Sequence, residues 1–175
     1  MKPERLSRTV VYRSRWVNLY VDKVRFPNGR VIERHHLLDF ERPSVVAVIE
    51  DDRDRVLLVR VCRYTTGSTD WELPAGGVEV GETVLEAAQR EVLEETGYET
   101  VDHRQIHSYY PMNGIANKVM HVIRCRASNR IGDPDQSEVS QARWFSKAEL
   151  DLMVEDKTMS DGPSLTALLL CYGSK

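Results

Sequence analysis

Residues 9–40 hold three runs rich in Val, Tyr and Leu, namely TVVYRS, WVNLYVDKVRF and RVIERHHLLDF, separated by polar positions. Such runs predict strands, and Pro27-Asn28-Gly29 between the second and third is a hairpin turn, so an antiparallel N-terminal sheet is expected. Two more runs, SVVAVIE and RVLLVRV, flank the polar turn DDRD. The first is apolar on both faces, as a central strand of a core sheet is. Strands are also expected over 105–110, 118–126 and 141–145, with a turn at 111–114 and a polar loop, SNRIGDPDQSE, over 128–138.

The period changes in GGVEVGETVLEAAQREVLEETGY, residues 76–98. Thr83 and Glu86 form a capping box, Glu82 and Glu86 suit the positive end of the dipole, and Gly97 stands where a left-handed C-terminal cap is wanted. A helix over 84–96 follows, with Leu85, Ala88 and Val92 as its buried stripe. Ser146 and Glu149 cap a second helix running to about Glu155, and Pro163 opens a last one through LTALLL. The order of these elements predicts a mixed sheet packed between helices.

Composition adds little that is unusual. The 175 residues suffice for one domain with a small appendage, 29% are charged and 41% hydrophobic, and the net charge of −3 makes no case for nucleic acid. Cys62, Cys125 and Cys171 are scattered and unpaired in spacing, which excludes a disulfide framework or zinc cluster and suits a reducing cytoplasm. The basic first fifteen residues lack an apolar core, so no signal peptide is expected, and LTALLLCY is too short to span a bilayer.

One charge pattern does change the picture. Glu91, Glu94 and Glu95 share an arc at the C-terminal end of the helix, where the dipole disfavours them. Acids spaced three and four apart repel by roughly 0.2–0.5 kcal/mol per pair, and only Arg90, four before Glu94, offers relief. A solvated face accounts poorly for this, whereas a divalent cation, which takes carboxylate and carbonyl oxygens, accounts for it well. Gly76, Gly77 and Gly81 in the preceding LPAGGVEVGE let the backbone turn and approach a bound group. A carboxylate-held ion beside such a loop serves phosphate chemistry by neutralising phosphate oxygens and acidifying water.

These residues resemble the Nudix box, Gly-x5-Glu-x7-Arg-Glu-U-x-Glu-Glu-x-Gly-U with U a bulky apolar residue. The fixed positions fall on Gly76, Glu82, Arg90, Glu91, Glu94, Glu95 and Gly97, the first U on Val92, and the last U on Tyr98, a mild departure because of its hydroxyl. The resemblance implies hydrolysis of a nucleoside diphosphate linked to another group, with Mg²⁺ or Mn²⁺. It also implies an α/β fold, an α/β/α sandwich with a mixed sheet plus the N-terminal antiparallel subdomain. Glu91 and Glu95 would be the principal metal ligands, Glu94 a further one, and the Ala75 carbonyl a backbone ligand. Arg90 would hold the glutamates by ion pairing, Gly76 would shape the loop, and Glu82 would assist from its outer part.

Beyond the box the chain is similar to the ADP-ribose pyrophosphatase branch in three features: the N-terminal sheet, the stretch VRVCRYTTGSTDWELPAGG with Arg63 and Glu72, and Pro111 fourteen residues after Gly97. That likeness implies residues 1–42 as a subdomain that helps form a homodimer and the nucleotide site, and residues 43–175 as the Nudix domain. Arg63 would contact the diphosphate and Glu72 the substrate or a metal-bound water. Glu138, on a loop able to close over substrate, would activate the attacking water, with Asp133 and Asp135 as alternatives. Trp16, Tyr20 and Trp71 are candidates to stack on a base or ribose, Trp16 foremost for its place in the N-terminal sheet. Met112, with Asn113 and Gly114, is a candidate contact to the distal sugar. The five histidines show no ligand spacing. Other readings are a pyrophosphatase of modified nucleoside triphosphates, dinucleoside polyphosphates or capped RNA, and a non-hydrolytic nucleotide sensor, against which the intact glutamates argue.

Overall fold

The computed structural model describes residues 1–135 and 139–173. The chain divides into two compact units, Met1–Pro43 with Tyr110–Val119, and Ser44–Tyr109 with Met120–Lys175.

The first unit is built on strands β1 (Glu4–Tyr12), β2 (Asn18–Arg25) and β3 (Val31–Asp39), antiparallel in that order. The expected turn closes with Gly29 at φ 85° and its amide donating to the Phe26 carbonyl at 2.9 Å. Alternation on β2 buries Asn18, Tyr20 and Asp22. Asp22 is compensated by two hydrogen bonds from Arg8, at 2.8 and 2.7 Å, and the same guanidinium stacks 4.2 Å over the Tyr20 ring. Residues 110–119 fasten to the end of β3. The Leu38 amide donates to the Ile115 carbonyl at 2.8 Å, and Asn117 bonds both the Phe40 amide and the Asp39 carboxylate at 2.7 Å.

In the second unit, strands β4 (Ser44–Glu50), β5 (Val56–Arg63), β6 (Ser68–Glu72), β7 (Ala75–Gly77), β8 (Tyr98–Tyr109), β9 (Met120–Arg130) and β10 (Val139–Phe145) form one mixed sheet. Its order is β10-β5-β4-β9-β8, with β6 on β5 and β7 on β4, and β4 and β9 run parallel. All of β4 is buried, as its sequence predicts. Val45, Ala47 and Ile49 pack toward helix α1 (Val84–Thr96), while Val46 and Val48 pack toward α2 (Lys147–Glu155) and α3 (Gly162–Tyr172). Helices thus cover both faces, giving an α/β/α sandwich.

Three boundaries differ from expectation. β8 starts at Tyr98, straight after α1, where the polar residues 99–105 hide a strand that irregular register lets run along β9. β9 continues to Arg130, three residues into the expected loop at 128–138. The LPAGG stretch is not all loop, since Ala75–Gly77 pairs with β4. β4 and β5 meet only at Glu50 and Val56, so the chain leaves β5 as β6, crosses at Leu73-Pro74 and joins β4 as β7. That crossing carries the glycine loop to the foot of α1. Among the described residues no helix is long and apolar enough to cross a membrane, and the three cysteines are free.

Candidate active site

Helix α1 starts and ends where its sequence says. Thr83 Oγ1 accepts from the Glu86 amide at 3.2 Å, the Glu86 carboxylate accepts from the Thr83 amide at 2.7 Å, and Gly97 at φ 73° donates to the Leu93 carbonyl at 2.8 Å. Its buried face holds Ala88 and Val92 as expected, widened by Ala87, Glu95 and Thr96, and half-buried Leu85 packs against the same core. Glu95 lies within that face at 9% exposure, and Glu94 stands at 54% on its side chain.

Arg90 organises the carboxylates. Its Nε and Nη2 donate to Glu82 at 2.7 and 3.1 Å, Nη1 donates to Glu91 at 2.8 Å and Glu94 at 3.2 Å, and Nη2 reaches the Gly77 carbonyl at 2.8 Å. A guanidinium fork is needed for so many acceptors in one plane. Hydrogen bonding to Glu82 pushes the Arg90 pKa further up, and the same bond, with the Glu79 amide, holds Glu82 below the usual carboxylate range. A Cβ on residue 76 would sit 2.0 Å from the Glu91 carboxylate, so only glycine lets that acid lie against the loop.

Across the loop, Arg63 on β5 donates from Nε to both oxygens of Glu72 at 3.1 Å. Glu72 is buried at the end of β6, and its hydrogen bond raises the Arg63 pKa, as do the charges of Asp161 and Glu95. Glu72 therefore aims Arg63 rather than standing open to solvent. Ala75 is on β7 beside Val46. The approach to the 136–138 segment is tied to α1, because the Gly97 carbonyl accepts from the Ile131 and Gly132 amides at 2.9 and 3.3 Å and the Asp135 amide donates to the Glu94 carbonyl at 2.9 Å. Asp133 is exposed and pairs with Arg130 at 3.0 Å. Glu138 lies outside the described residues.

Trp16 and Met112 belong to the first unit. Trp16 is 73% exposed with Arg15 stacked on it at 4.8 Å, and the Met112 carbonyl accepts from Ile115 and Ala116 at 3.0 and 2.8 Å. Tyr20 is buried in the same unit, whereas Trp71 packs edge-on to Phe145 at 5.0 Å in the second. Residues that sequence reasoning missed are Asp161 and Ser164, next to the glycine loop. Asp161 caps α3 by accepting from the Ser164 amide at 2.8 Å, a spacing visible in Asp-Gly-Pro-Ser.

The oxygens offered here, carboxylate and carbonyl, are those a hard divalent cation takes. Among the described residues no three acidic, imidazole or thiol groups gather about one point as the side chains stand, since Arg90 draws Glu91 and Glu94 to itself. The donor chemistry fits a cation, and the close seat of Glu91 on Gly76 fits a loop made to approach it.

The chain is similar to known families and proteins. Residues 40–168 match the NUDIX domain, and residues 4–38 match the nucleoside diphosphate sugar hydrolase N-terminal domain. An ADP-ribose pyrophosphatase of Bacillus subtilis is 30% identical over 172 residues, spanning 96% of this chain and 91% of its own length. A CMP-5'-(N-acetyl-N-hydroxy-3-aminopropyl)phosphonate hydrolase of Streptomyces rubellomurinus is 30% identical over 161 residues, spanning 91% of this chain and 77% of its own. The crystal structure of an ADP compounds hydrolase superposes with a TM-score of 0.85 at 24% identity, covering 98% of this chain and 92% of that one, and so shares the fold. With its helix, its Arg90-ordered glutamates and a family match across most of its length, the chain belongs to the Nudix family and is a hydrolase.

Proposed function

We propose that this enzyme hydrolyses the diphosphate bond of ADP-ribose or a related nucleoside diphosphate sugar, with Mg²⁺ (Mn²⁺ as a substitute), releasing a nucleoside monophosphate and a sugar phosphate. The observation that carries this reading is the match of residues 4–38 to a nucleoside diphosphate sugar hydrolase N-terminal domain on the same chain as the ordered glutamates. The Bacillus relative named for ADP-ribose supports the substrate, and the Streptomyces relative named for a CMP phosphonate supports a family site in which base and distal group vary.

A divalent cation bound here supplies charge neutralisation at the diphosphate and acidification of a water molecule. Glu91 and Glu95 are the residues to hold it, with Glu94 and the Ala75 carbonyl completing the set. Arg90 holds Glu91 and Glu94 in place by ion pairing. Arg63, aimed by Glu72, binds diphosphate oxygens, and its bidentate fork suits them. Glu138 is the base, taking the proton of the water that attacks phosphorus as the bridging P–O bond breaks. Trp16 is assigned to the base or ribose, Gly76 to close approach of the diphosphate, and Met112 to the distal sugar.

We assign residues 1–42 to a dimerisation and nucleotide-binding subdomain, residues 43–175 to the hydrolase domain, and a second copy of the chain as partner. Exposed Val10, Val11 and Tyr12 on the edge strand β1 support the dimer. Sedimentation equilibrium is expected to give twice the chain mass; a monomer at micromolar concentration would remove it. The free cysteines support a reducing cytoplasm, which cell fractionation tests by where the protein is recovered.

Incubation with ADP-ribose and Mg²⁺ should yield AMP and ribose 5-phosphate, identified by chromatography, with activity lost in EDTA and restored by the ion. A panel of nucleotide sugars, triphosphates and dinucleoside polyphosphates decides the class. Turnover of triphosphates or polyphosphates alone, or of nothing in the panel, sinks the reading.

A further inference from the structure

We infer that Ser164 is a positioning residue for the hydrolytic loop, acting through the Leu73 peptide, an inference that rests on the hydrolase reading above. Leu73 sits at the crossing between β6 and β7, where neither ladder offers its amide a partner. Pro74, which follows, has no N–H, and its carbonyl accepts from the Ala47 amide at 2.9 Å. The buried Leu73 amide is satisfied instead by Ser164 Oγ, 2.8 Å away on α3, a residue 91 positions on in sequence. A serine hydroxyl carries one hydrogen and two lone pairs. Its hydrogen goes to Asp161 Oδ2 at 2.6 Å, so a lone pair is fixed toward Leu73. Asp161 is itself fixed as the cap of α3, and Ser164 is 0% exposed, which leaves the hydroxyl no alternative partner in water.

The peptide held in this way has machinery on both sides. Glu72, one residue before, aims Arg63, and Gly76, three residues after, seats the Glu91 carboxylate. The charge of Asp161 also acts on Arg63. The helix cap, the serine and the amide thus form a latch that sets the distance between Arg63, which binds diphosphate, and the glutamates that serve hydrolysis. A small slip of a reacting group from its productive geometry costs on the order of 10²-fold in rate.

Three variants test the latch. Ser164→Ala and the near-isosteric Ser164→Cys, a weak acceptor, should each lower kcat about tenfold or more with KM within about threefold, which marks loss of positioning rather than of binding. Ser164→Thr, which keeps the hydroxyl, should restore most of it. Hydrogen exchange at the Leu73 amide should quicken in the Ala and Cys variants. Tyr172→Phe removes a part-buried hydrogen bond to Glu50 at the far end of the same helix, and should lower Tm while leaving kcat alone. Wild-type kcat in folded Ala and Cys variants, unchanged Leu73 exchange, or an equal kcat loss in Tyr172→Phe overturns the latch. Inactivity of the wild type toward the whole panel overturns the hydrolase reading instead, and the Leu73 exchange still reports on the latch.

Discussion

Arg90 shows why helix acids at a disfavoured end can persist. Its hydrogen bonds to Glu82, Glu91 and Glu94 offset part of their repulsion, and the Gly77 carbonyl completes the fork. Glu95 belongs to the buried face of α1 and is one of the two principal ligands assigned above. Glu95→Gln should lower kcat by about two orders of magnitude or more while shifting Tm little, because an amide of the same shape keeps the packing and loses the ligand. Unchanged activity there would refute the metal assignment. Gly76→Ala should also lower kcat, by about 10²-fold, since its Cβ would force the Glu91 carboxylate away from a position 2.0 Å distant. The cost in stability should stay near 1 kcal/mol, because a carboxylate end can swing aside. The acids were legible because helical spacing alone groups them. The roles of Gly77, Asp161 and Leu73 were not, because each depends on where a distant segment lies.

Among the elements, α1 was the most readable, as its caps are local hydrogen bonds written in Thr83, Glu86 and Gly97. Gly97 does more than end the helix. A Cβ there would meet the Gly132 carbonyl oxygen at 2.1 Å, and its φ of 73° already disfavours a side chain. Gly97→Ala should therefore destabilise the protein by about 2 kcal/mol or more in urea melts, combining left-handed strain with backbone displacement. A loss under half that value would mean the 131–135 segment yields freely. Strands β6 and β7 were not readable. The first is short and polar, and the second is two glycines and an alanine, which strand propensity counts against. β7 exists because β4, buried on both faces, has an open edge that any extended backbone can satisfy.

The charges of the folded molecule set its pH response. Burial pushes His103 and His121 below the ordinary histidine value of about 6.5, so the unfolded chain binds protons first and stability falls as pH drops below that value through their lowered folded ones. Three carboxylates add an acid limb. Asp22 is held low by hydrogen bonds from Arg8, while Glu50 and Asp51 are pushed up by burial but more than offset, Glu50 by Arg124 and Tyr172 and Asp51 by the amides and side chain of its own turn. Their contributions are present above about pH 4 and lost as pH falls through their depressed folded values. Thermal melts from pH 7 to 3 should show both declines. His103→Gln with His121→Gln should flatten the first, and Glu50→Gln should reduce the second, leaving the parts of Asp22 and Asp51, at a cost of about 2 kcal/mol at pH 7. A Tm that rises between pH 7 and 5 would contradict this sign.

The sequence by itself determined the elements whose signals are local: the N-terminal hairpin at Gly29, the central β4, the capped α1 and the acids it carries. Fixed spacing on one helix was also enough to name the family. Only the tertiary structure decided how the glycine loop that seats Glu91 is held against the helix. It did so by splitting β4 from β5, threading residues 72–77 between their ladders, and bringing Ser164 from α3 to an amide that no strand could satisfy. The physical reason is that backbone groups buried at a crossing must be paired by whatever segment the fold brings near, and no local pattern records which segment that is.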